Sequence, residues 1–196
     1  MIDREAEHAR AGRPARIIAK MNSLLDHPVI DALYRASQAG VSIDLIVRGI
    51  CALRPGVPGQ SENIRVRSIV GRFLEHSRIF LFANDGDEQI YCGSADWMPR
   101  NLYERCEAAF PISDETQRAR LRDEILAAYL ADNSKARLLQ RDGSYIRVPG
   151  NAPAFNAQEF LIALTDGRAT LADIPAPSRT APQPTPKPRK PRAKQR

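Results

Sequence analysis

Apolar residues recur along this 196-residue chain in short runs whose spacing alternates between that of strands and that of helices. Residues 16–21 and 41–47 are mostly apolar, which predicts two strands, the second of them buried on both faces. Between them, Asp26 and Gly40 predict the start and the end of a helix. The apolar positions of that helix are Val29, Ile30, Leu33 and Tyr34. This strand, helix, strand order predicts a parallel pair with a right-handed crossover.

The rest of the apolar pattern predicts further strands, two hairpins and two helices. Turn residues at 84–86 and at 142–143 are typical of hairpin connections. The predicted elements are hairpin strands 78–82 and 89–92, a strand at 106–112, an amphipathic helix at 114–131, a hairpin over 138–148, and a last helix from Asn156 to Gly167. The pattern as a whole predicts an α/β fold with a mixed sheet.

Polar side chains stand where the two predicted parallel strands end. Lys20 and Asn22 end the first strand, and Arg48 ends the second. Ligands of such sheets gather beyond the carboxyl ends of the strands, so the sequence predicts two cations at one edge. Arg48 follows the apolar run IDLIV, at a place where only a ligand or a carboxylate would satisfy its charge.

The net charge of +6 comes from the C-terminal tail. Residues 175–196 contain seven Lys or Arg, seven Pro and no acid, whereas residues 1–174 contain 22 basic and 23 acidic side chains. A tail of this composition cannot bury enough apolar surface to order itself. We therefore predict a folded domain at 1–174 and a disordered tail at 175–196. The tail could attract an acidic surface, but it has no aromatic residue to stack on bases, so no specific nucleic acid is implied.

The sequence predicts a cytoplasmic protein with reduced thiols. It contains no apolar run long enough to cross a bilayer and no signal-peptide core. Cys51, Cys92 and Cys106 are odd in number and lack metal-ligand spacing, which favours buried, unreacted cysteines.

Six arginines lie within residues 48–78, a window whose only acids are Glu62 and Glu75. They are Arg48, Arg54, Arg65, Arg67, Arg72 and Arg78. A guanidinium presents a planar fork of donors that matches two phosphate oxygens at once, so the cluster favours a phosphorylated ligand. For Arg65, Arg67 and Arg72, solvated positions on strand edges or helix faces explain the sequence equally well.

His76 stands two residues before Arg78, and a Gly-Ser-x-Asp turn follows at 93–96. An imidazole in this place is a candidate nucleophile toward phosphorus, a general acid or base, or a hydrogen-bond donor to a phosphate oxygen. Ser94 could donate to a phosphoryl oxygen, and Asp96 could accept from the imidazole N–H and fix its tautomer. A turn closed by the Ser and Asp side chains accounts for the same pattern equally well.

The H-x-R and G-S-x-D pair resembles a degenerate copy of the H-x-K and G-S-x-N signature of the phospholipase D superfamily, whose members handle phosphoryl groups. A longer series of segments resembles the C-terminal part of type 1 polyphosphate kinase, colinearly over residues 4–148. The segments are RIIAKMN, IDLIVRGICALRPGVPG, SENIRVRSIVGRFLEHSRIF and SADWMPRNL. The resemblance implies a phospholipase D-like mixed sheet flanked by helices.

That family reversibly transfers the terminal phosphate of ATP to polyphosphate, so the resemblance implies ATP, ADP and polyphosphate as ligands, with Mg²⁺ accompanying the nucleotide. It places His76 and Arg48 in the nucleotide and phosphate site, with Arg78, Ser94 and Asp96 as further candidates. No convincing carboxylate cluster for the metal is present in the sequence. The resemblance also implies a homo-oligomer, cytoplasmic and able to associate with a membrane as a complex.

Nothing in the sequence matches the family's N-terminal domains or its preceding catalytic domain, which carries the histidine that becomes phosphorylated. The chain is therefore expected to be a truncated, split or remnant form that supplies the second half of the site and has little kinase activity alone. The alternative is a non-catalytic module that binds polyphosphate or a nucleotide. Either function requires His76 and Arg48 to converge on one anion-sized pocket.

Overall fold

A mixed eight-stranded sheet runs through the centre of the computed structural model, which describes residues 1–150 and 152–176. The strands are β1 (Arg16–Met21), β2 (Ser42–Val47), β3 (Ile64–Ile69), β4 (Arg78–Phe82), β5 (Gln89–Gly93), β6 (Ala109–Pro111), β7 (Ala136–Leu139) and β8 (Tyr145–Arg147). Their order across the sheet is β6-β5-β4-β1-β2-β3-β7-β8. The β1–β2 and β2–β3 pairs are parallel, and the other five pairs are antiparallel. The predicted fold class, a mixed α/β sheet flanked by helices, is confirmed.

Helices cover both faces of the sheet. On one face lie α1 (Ile2–Arg10) and α2 (His27–Gln38). On the other lie α3 (115–131), a continuous helix with a π-helical middle at Arg120–Leu126, and α4 (Ala157–Thr165). Single helical turns occur at Asn84–Gly86, Arg100–Glu104 and Leu171–Asp173.

Strand β1 contributes to the core on both sides of the sheet. Ile17, Ala19 and Met21 pack with the α1 and α2 layer, and Ile18 packs with the α3 and α4 layer. Because successive side chains of a strand point to opposite faces, Lys20 lies on the same side as Ile18. Lys20 is only 1% exposed, which a charged side chain tolerates only when it is paired.

Most of the elements predicted from the apolar pattern are present. β1 has the predicted bounds, and β2 begins one residue later than predicted. The Asp26 side chain accepts a hydrogen bond from the backbone N–H of Val29 at 3.0 Å, which confirms the predicted start of α2, and Gly40 with a φ of +97° follows its end. Both hairpins are present, as β4–β5 and β7–β8. The strand predicted at 106–112 is shorter, since β6 has three residues.

Two elements, α1 and β3, were not predicted from the apolar pattern. Helix α1 has a charged sequence, yet Glu5 is buried because its carboxylate accepts from the backbone N–H of Arg16 at 2.9 Å and of Asn84 at 2.6 Å. Strand β3 carries Arg65 and Arg67 on its face toward α3, where distant acceptors satisfy both. In both elements, hydrogen-bond partners far along the chain stabilise the charged side chains.

The predictions for the tail and the cysteines have different outcomes. Residues 177–196, most of the tail predicted to be disordered, lie outside the described residues, so the predicted division at residue 174 stays a prediction. Cys51 and Cys92 are half-buried, but Cys106 is exposed, so the prediction of buried thiols is wrong there, because Cys106 lies on a surface segment before β6. Among the helices of the described residues, none is long and apolar enough to cross a membrane.

Candidate functional site

The carboxyl ends of β1 and β2 and the amino end of β4 form one edge of the sheet, which we call the rim. β4 runs antiparallel to β1, so that Lys20 pairs with Ile79. Arg78 precedes Ile79, and Arg48 follows β2 on the other side of β1. The two arginine backbones are therefore about two strand spacings, roughly 10 Å, apart. The predicted placement of Lys20 and Arg48 at one edge is confirmed.

Within the described residues, Arg48 is a cation of the rim whose charge is left unpaired. Its main chain is fixed, since its carbonyl accepts from the Ser68 hydroxyl at 2.8 Å and its N–H donates to the Met21 carbonyl at 3.2 Å. Its half-exposed guanidinium has no hydrogen-bond or ion-pair partner within residues 1–150 and 152–176. A rigid backbone that presents a free guanidinium to solvent is a suitable anchor for an anion.

Lys20, the second predicted cation, does not reach the solvent. Its ammonium lies 3.0 Å from a carboxylate oxygen of Glu75 and donates to the Ser77 hydroxyl at 2.9 Å. Burial lowers the pKa of Lys20, Glu75 opposes this, and the charges of Arg48 and Arg78 lower it further. Lys20 thus lies at the predicted edge, but Glu75 neutralises its charge in the interior.

His76 is exposed and lies against Arg78. One terminal nitrogen of the Arg78 guanidinium is 2.9 Å from Nδ1 and 3.4 Å from Nε2 of the imidazole, and it donates to the His76 carbonyl at 2.8 Å. A guanidinium can only donate, so any ring nitrogen that it binds must be the unprotonated one. Arg78 thus holds both the backbone and the ring of His76.

Asp96 holds Arg78. Its carboxylate binds Nε of Arg78 at 3.1 Å and a terminal nitrogen at 3.2 Å. It also accepts from the backbone N–H of Asn22 at 2.7 Å and from its side-chain amide at 3.3 Å. In the described part of the chain no hydrogen bond joins Asp96 to His76, because Asp96 is buried beneath Arg78 while the ring lies on the solvent side.

Ser94 hydrogen-bonds to two residues just before β6. Its hydroxyl donates to Glu107 and accepts from the backbone N–H of Ala108 at 3.0 Å. Hydrogen bonds from Ser94 and Asn101 hold the pKa of Glu107 below its ordinary value. These partners lie 13 and 14 positions away, so the side chain of Ser94 does not close the turn at 93–96, and its part in phosphate binding stays a prediction.

Two adjoining cavities lie beside His76. One, of about 530 Å³, is lined by His76, and a second, of about 900 Å³, continues past Arg78 toward β5. Residues common to both are Ser77, Tyr129, Leu161 and Thr165. Tyr129, Leu161 and Thr165 were not predicted as site residues, because they come from α3 and α4 and carry no local motif. Their signal in the sequence is helical periodicity.

Among the other arginines of the 48–78 window, Arg65, Arg67 and Arg72 have side-chain contacts within the described residues. Arg65 binds Asp44 at 2.8 Å, and the buried Arg67 donates to the carbonyls of Tyr129 and Leu130 at the end of α3. The solvated interpretation is therefore wrong for Arg67. The guanidinium of Arg72 lies 5.3 Å from the ring of Phe73.

The residues of the rim do not fit a divalent metal. The described residues contain no group of three or more His, Cys, Asp or Glu that could bind one. Asp96, the carboxylate of the rim, is occupied by Arg78 and Asn22. Magnesium is expected to be held by oxygen ligands, and this rim offers no free set of them.

The fold and the site together are a mixed α/β sheet whose rim carries an exposed histidine and an arginine that is unpaired within the described residues. The chain belongs to the family described as polyphosphate kinase C-terminal domain 2, whose model matches residues 1–158. This family assignment confirms the resemblance noted in the sequence.

Full-length relatives agree with this assignment. The chain is 58% identical over 161 residues to a polyphosphate kinase of Paraburkholderia phytofirmans, covering 82% of this chain and 23% of the relative. It is 57% identical over 164 residues to one of Pseudomonas aeruginosa, covering 83% of this chain and 24% of the relative. The crystal structure of polyphosphate kinase from Porphyromonas gingivalis matches with a TM-score of 0.81 and 45% identity, over 85% of this chain and 26% of that one. The chain thus spans about a quarter of the length of these relatives.

Proposed function

We propose that this chain supplies the second half of the nucleotide and phosphate site of a polyphosphate kinase, which reversibly transfers the terminal phosphate of ATP to polyphosphate. The observation that carries the proposal is the guanidinium of Arg48, unpaired within the described residues, on the same rim as an exposed, well-held His76. Neither of the two cavities beside His76 is lined by Arg48, so the expected convergence of these two side chains on one pocket stays a prediction. Membership of the polyphosphate kinase family supports the reaction type.

Each rim residue has a defined part in this proposal. Arg48 binds phosphate oxygens of ATP or of polyphosphate with its free guanidinium. His76 hydrogen-bonds to a phosphoryl oxygen or exchanges a proton with it. Arg78 and Asp96 act mainly by holding His76, because their hydrogen-bonding groups are already occupied by each other. Ser94 remains a candidate only if it releases Glu107.

The rim provides only part of the charge that phosphoryl transfer needs. The transferred group spreads its negative charge over three equatorial oxygens, and catalysis depends on positioning and on several cations around it. One free guanidinium and one imidazole cannot surround such a group. We therefore infer that the remaining groups, and the ligands of Mg²⁺, come from another part of the enzyme or from a separate chain, and that this chain alone has little activity.

Complementation tests the proposal. The purified chain is incubated with labelled ATP and magnesium, alone and together with a polypeptide comprising the non-matching three-quarters of the Pseudomonas aeruginosa enzyme. We expect polyphosphate synthesis only in the mixture, and a loss of that synthesis with the His76→Ala chain. Robust synthesis by the chain alone would contradict the half-site.

The same experiment examines the alternative of a non-catalytic binding module. Micromolar binding of polyphosphate without synthesis in any mixture would support the module and overturn the enzyme proposal. A homo-oligomeric state and a cytoplasmic location also remain predictions. Sedimentation of the purified chain and fractionation of cells that express it test them.

A further inference from the structure

A single buried ammonium holds both neighbours of His76. Lys20 of β1 reaches Glu75, the residue before His76, at 3.0 Å, and Ser77, the residue after it, at 2.9 Å. Its Nζ also lies 4.7 Å from the ring centroid of Tyr129 in α3. The side chains of Lys20 and Glu75 are 2% and 6% exposed. His76 is therefore held from beneath through the residues on either side of it.

Helix α4 holds residues 71–77, the segment that contains His76, through Gln158. Its side-chain oxygen accepts from the backbone N–H of Phe73 at 3.1 Å, and its amide donates to the Phe73 carbonyl at 2.9 Å and to Glu75. Gly71 leaves room for this arrangement, since a Cβ there would lie 2.4 Å from the Gln158 oxygen. Burial and the neighbouring Glu75 raise the pKa of Tyr129.

Three apolar side chains just before His76 are exposed within the described residues. Val70, Phe73 and Leu74 are 68%, 49% and 73% exposed. A buried ion pair is weak evidence for stability, because its desolvation penalty offsets much of the attraction and apolar replacements of similar volume are often as stable. The cluster of Lys20, Glu75 and Gln158 is better explained by the backbone conformation that it imposes on residues 71–77.

We propose that Lys20, together with Glu75 and Gln158, positions His76 over the rim, and that Lys20 is a positioning residue and not a phosphate ligand. The consequence for phosphate binding rests on the proposed function, whereas the effect on the His76 ring does not. A direct role for Lys20 would require a free N–H, but the ammonium is already shared among Glu75, Ser77 and the Tyr129 ring.

The test replaces the ion pair without leaving a lone charge in the interior. The full chain carrying Lys20→Met and Glu75→Leu together is compared with the unchanged chain by NMR of ¹⁵N-labelled histidine. The chain has three histidines, His8, His27 and His76, and His76→Gln identifies the third signal. We expect the His76 ring signals to shift or broaden while those of His8 and His27 stay in place. Hydrogen exchange at the amides of residues 72–77 should accelerate about tenfold or more.

Gln158→Leu and Gly71→Ala provide a second route to the same result, because each removes the Gln158 contacts without touching a charge. The matched control is Gln140→Leu, which alters a glutamine that is equally buried but lies beyond β7. We expect the first two variants to change the His76 signals and the control to leave them unchanged. If the double variant does not fold, these three variants decide the question.

The outcomes separate the two proposals. Unchanged His76 signals in folded variants would overturn the positioning role. Weaker binding of inorganic tripolyphosphate by the double variant, with unchanged His76 signals, would identify Lys20 as a direct ligand and would also overturn it. A third outcome is that the variants alter the His76 signals but the unchanged chain binds neither ATP nor tripolyphosphate. This outcome would support the positioning role and count against the proposed function.

Discussion

Asp96 and Arg78 form a two-bond ion pair, with Oδ1 3.1 Å from Nε and Oδ2 3.2 Å from a terminal nitrogen. The remaining nitrogen of Arg78 faces the imidazole of His76. The carboxylate thus acts on the histidine only through the arginine. Both side chains of the pair are nearly buried, at 9% and 11% exposure.

Asp96→Asn should destabilise the domain, because it leaves the buried Arg78 guanidinium without a counter-charge. We expect the free energy of unfolding to fall by about 3 kcal/mol, the scale on which breaking a buried pair acts. Urea unfolding measures this loss. The matched control is Arg105→Ala, which removes an exposed pair with Glu107 at 3.8 Å and should cost less than about 1 kcal/mol. Equal losses in the two variants would contradict the structural role of Asp96.

Arg48→Ala should weaken anion binding and leave stability unchanged, because its guanidinium holds no partner within the described residues. One or two charge-assisted hydrogen bonds correspond to about a 10- to 100-fold loss of affinity. Calorimetric titration with ATP and with inorganic tripolyphosphate measures it. Arg10→Ala, at the end of α1 and before β1 begins, is the control and should bind like the unchanged chain. If both variants bind equally, Arg48 is not the anchor.

Asp44 should make stability depend on pH at the acidic end. Burial alone would raise the pKa of its carboxyl, but hydrogen bonds and charge from Arg65 and Arg16 hold it below its ordinary value. A lowered pKa contributes stability above the unfolded value of about 4, and that contribution is lost as the pH falls through the folded value. Asp44→Asn should therefore cost about 2 kcal/mol at neutral pH, and the cost should shrink below pH 4.

Urea unfolding at several pH values between 7 and 3 measures this difference between the unchanged chain and the Asp44→Asn chain. Asp3→Asn, which removes an exposed pair with Arg35, is the control and should have a small effect at every pH. A cost of Asp44→Asn that stays constant down to pH 3 would contradict the assigned cause.

The cysteines should react in a fixed order. Burial raises the pKa of the Cys51 thiol to about 11, whereas Cys106 is exposed. At pH 8 only about one Cys51 thiol in a thousand is then the reactive thiolate. Alkylation followed by mass spectrometry should label Cys106 at least about tenfold faster. The difference should disappear in urea, and equal rates in the folded chain would contradict the burial of Cys51.

Local signals in the sequence were sufficient for much of the fold. The bounds of β1, the Asp26 cap of α2 and both hairpins follow from apolar spacing and turn residues that act within a few positions. β3 was not predicted, because Arg65 and Arg67 interrupt its apolar run. Their acceptors, Asp44 and the carbonyls at the end of α3, become neighbours only in the folded sheet.

The candidate site was predictable in its residues and less so in its contacts. His76 became a candidate through the H-x-R and G-S-x-D motifs, and Arg48 through its position at the end of the second predicted strand. One of the two interpretations of Asp96 made it the partner of His76. The observed partner is Arg78, because the register between β4 and the turn at 93–96 sets which side chain lies between them. The burial of Lys20 could have been suspected from its apolar neighbours, but its partner Glu75 lies 55 positions away in the chain.

The link from Gln158 to Phe73 and Glu75 joins residues 83 to 85 positions apart. A crossover between two related genes that falls anywhere within that interval would inherit the histidine segment from one parent and its underlying helix from the other. Such hybrids should work only when both parents supply matching residues at these contacts. The two distant stretches are thus expected to be inherited, and engineered, as one unit.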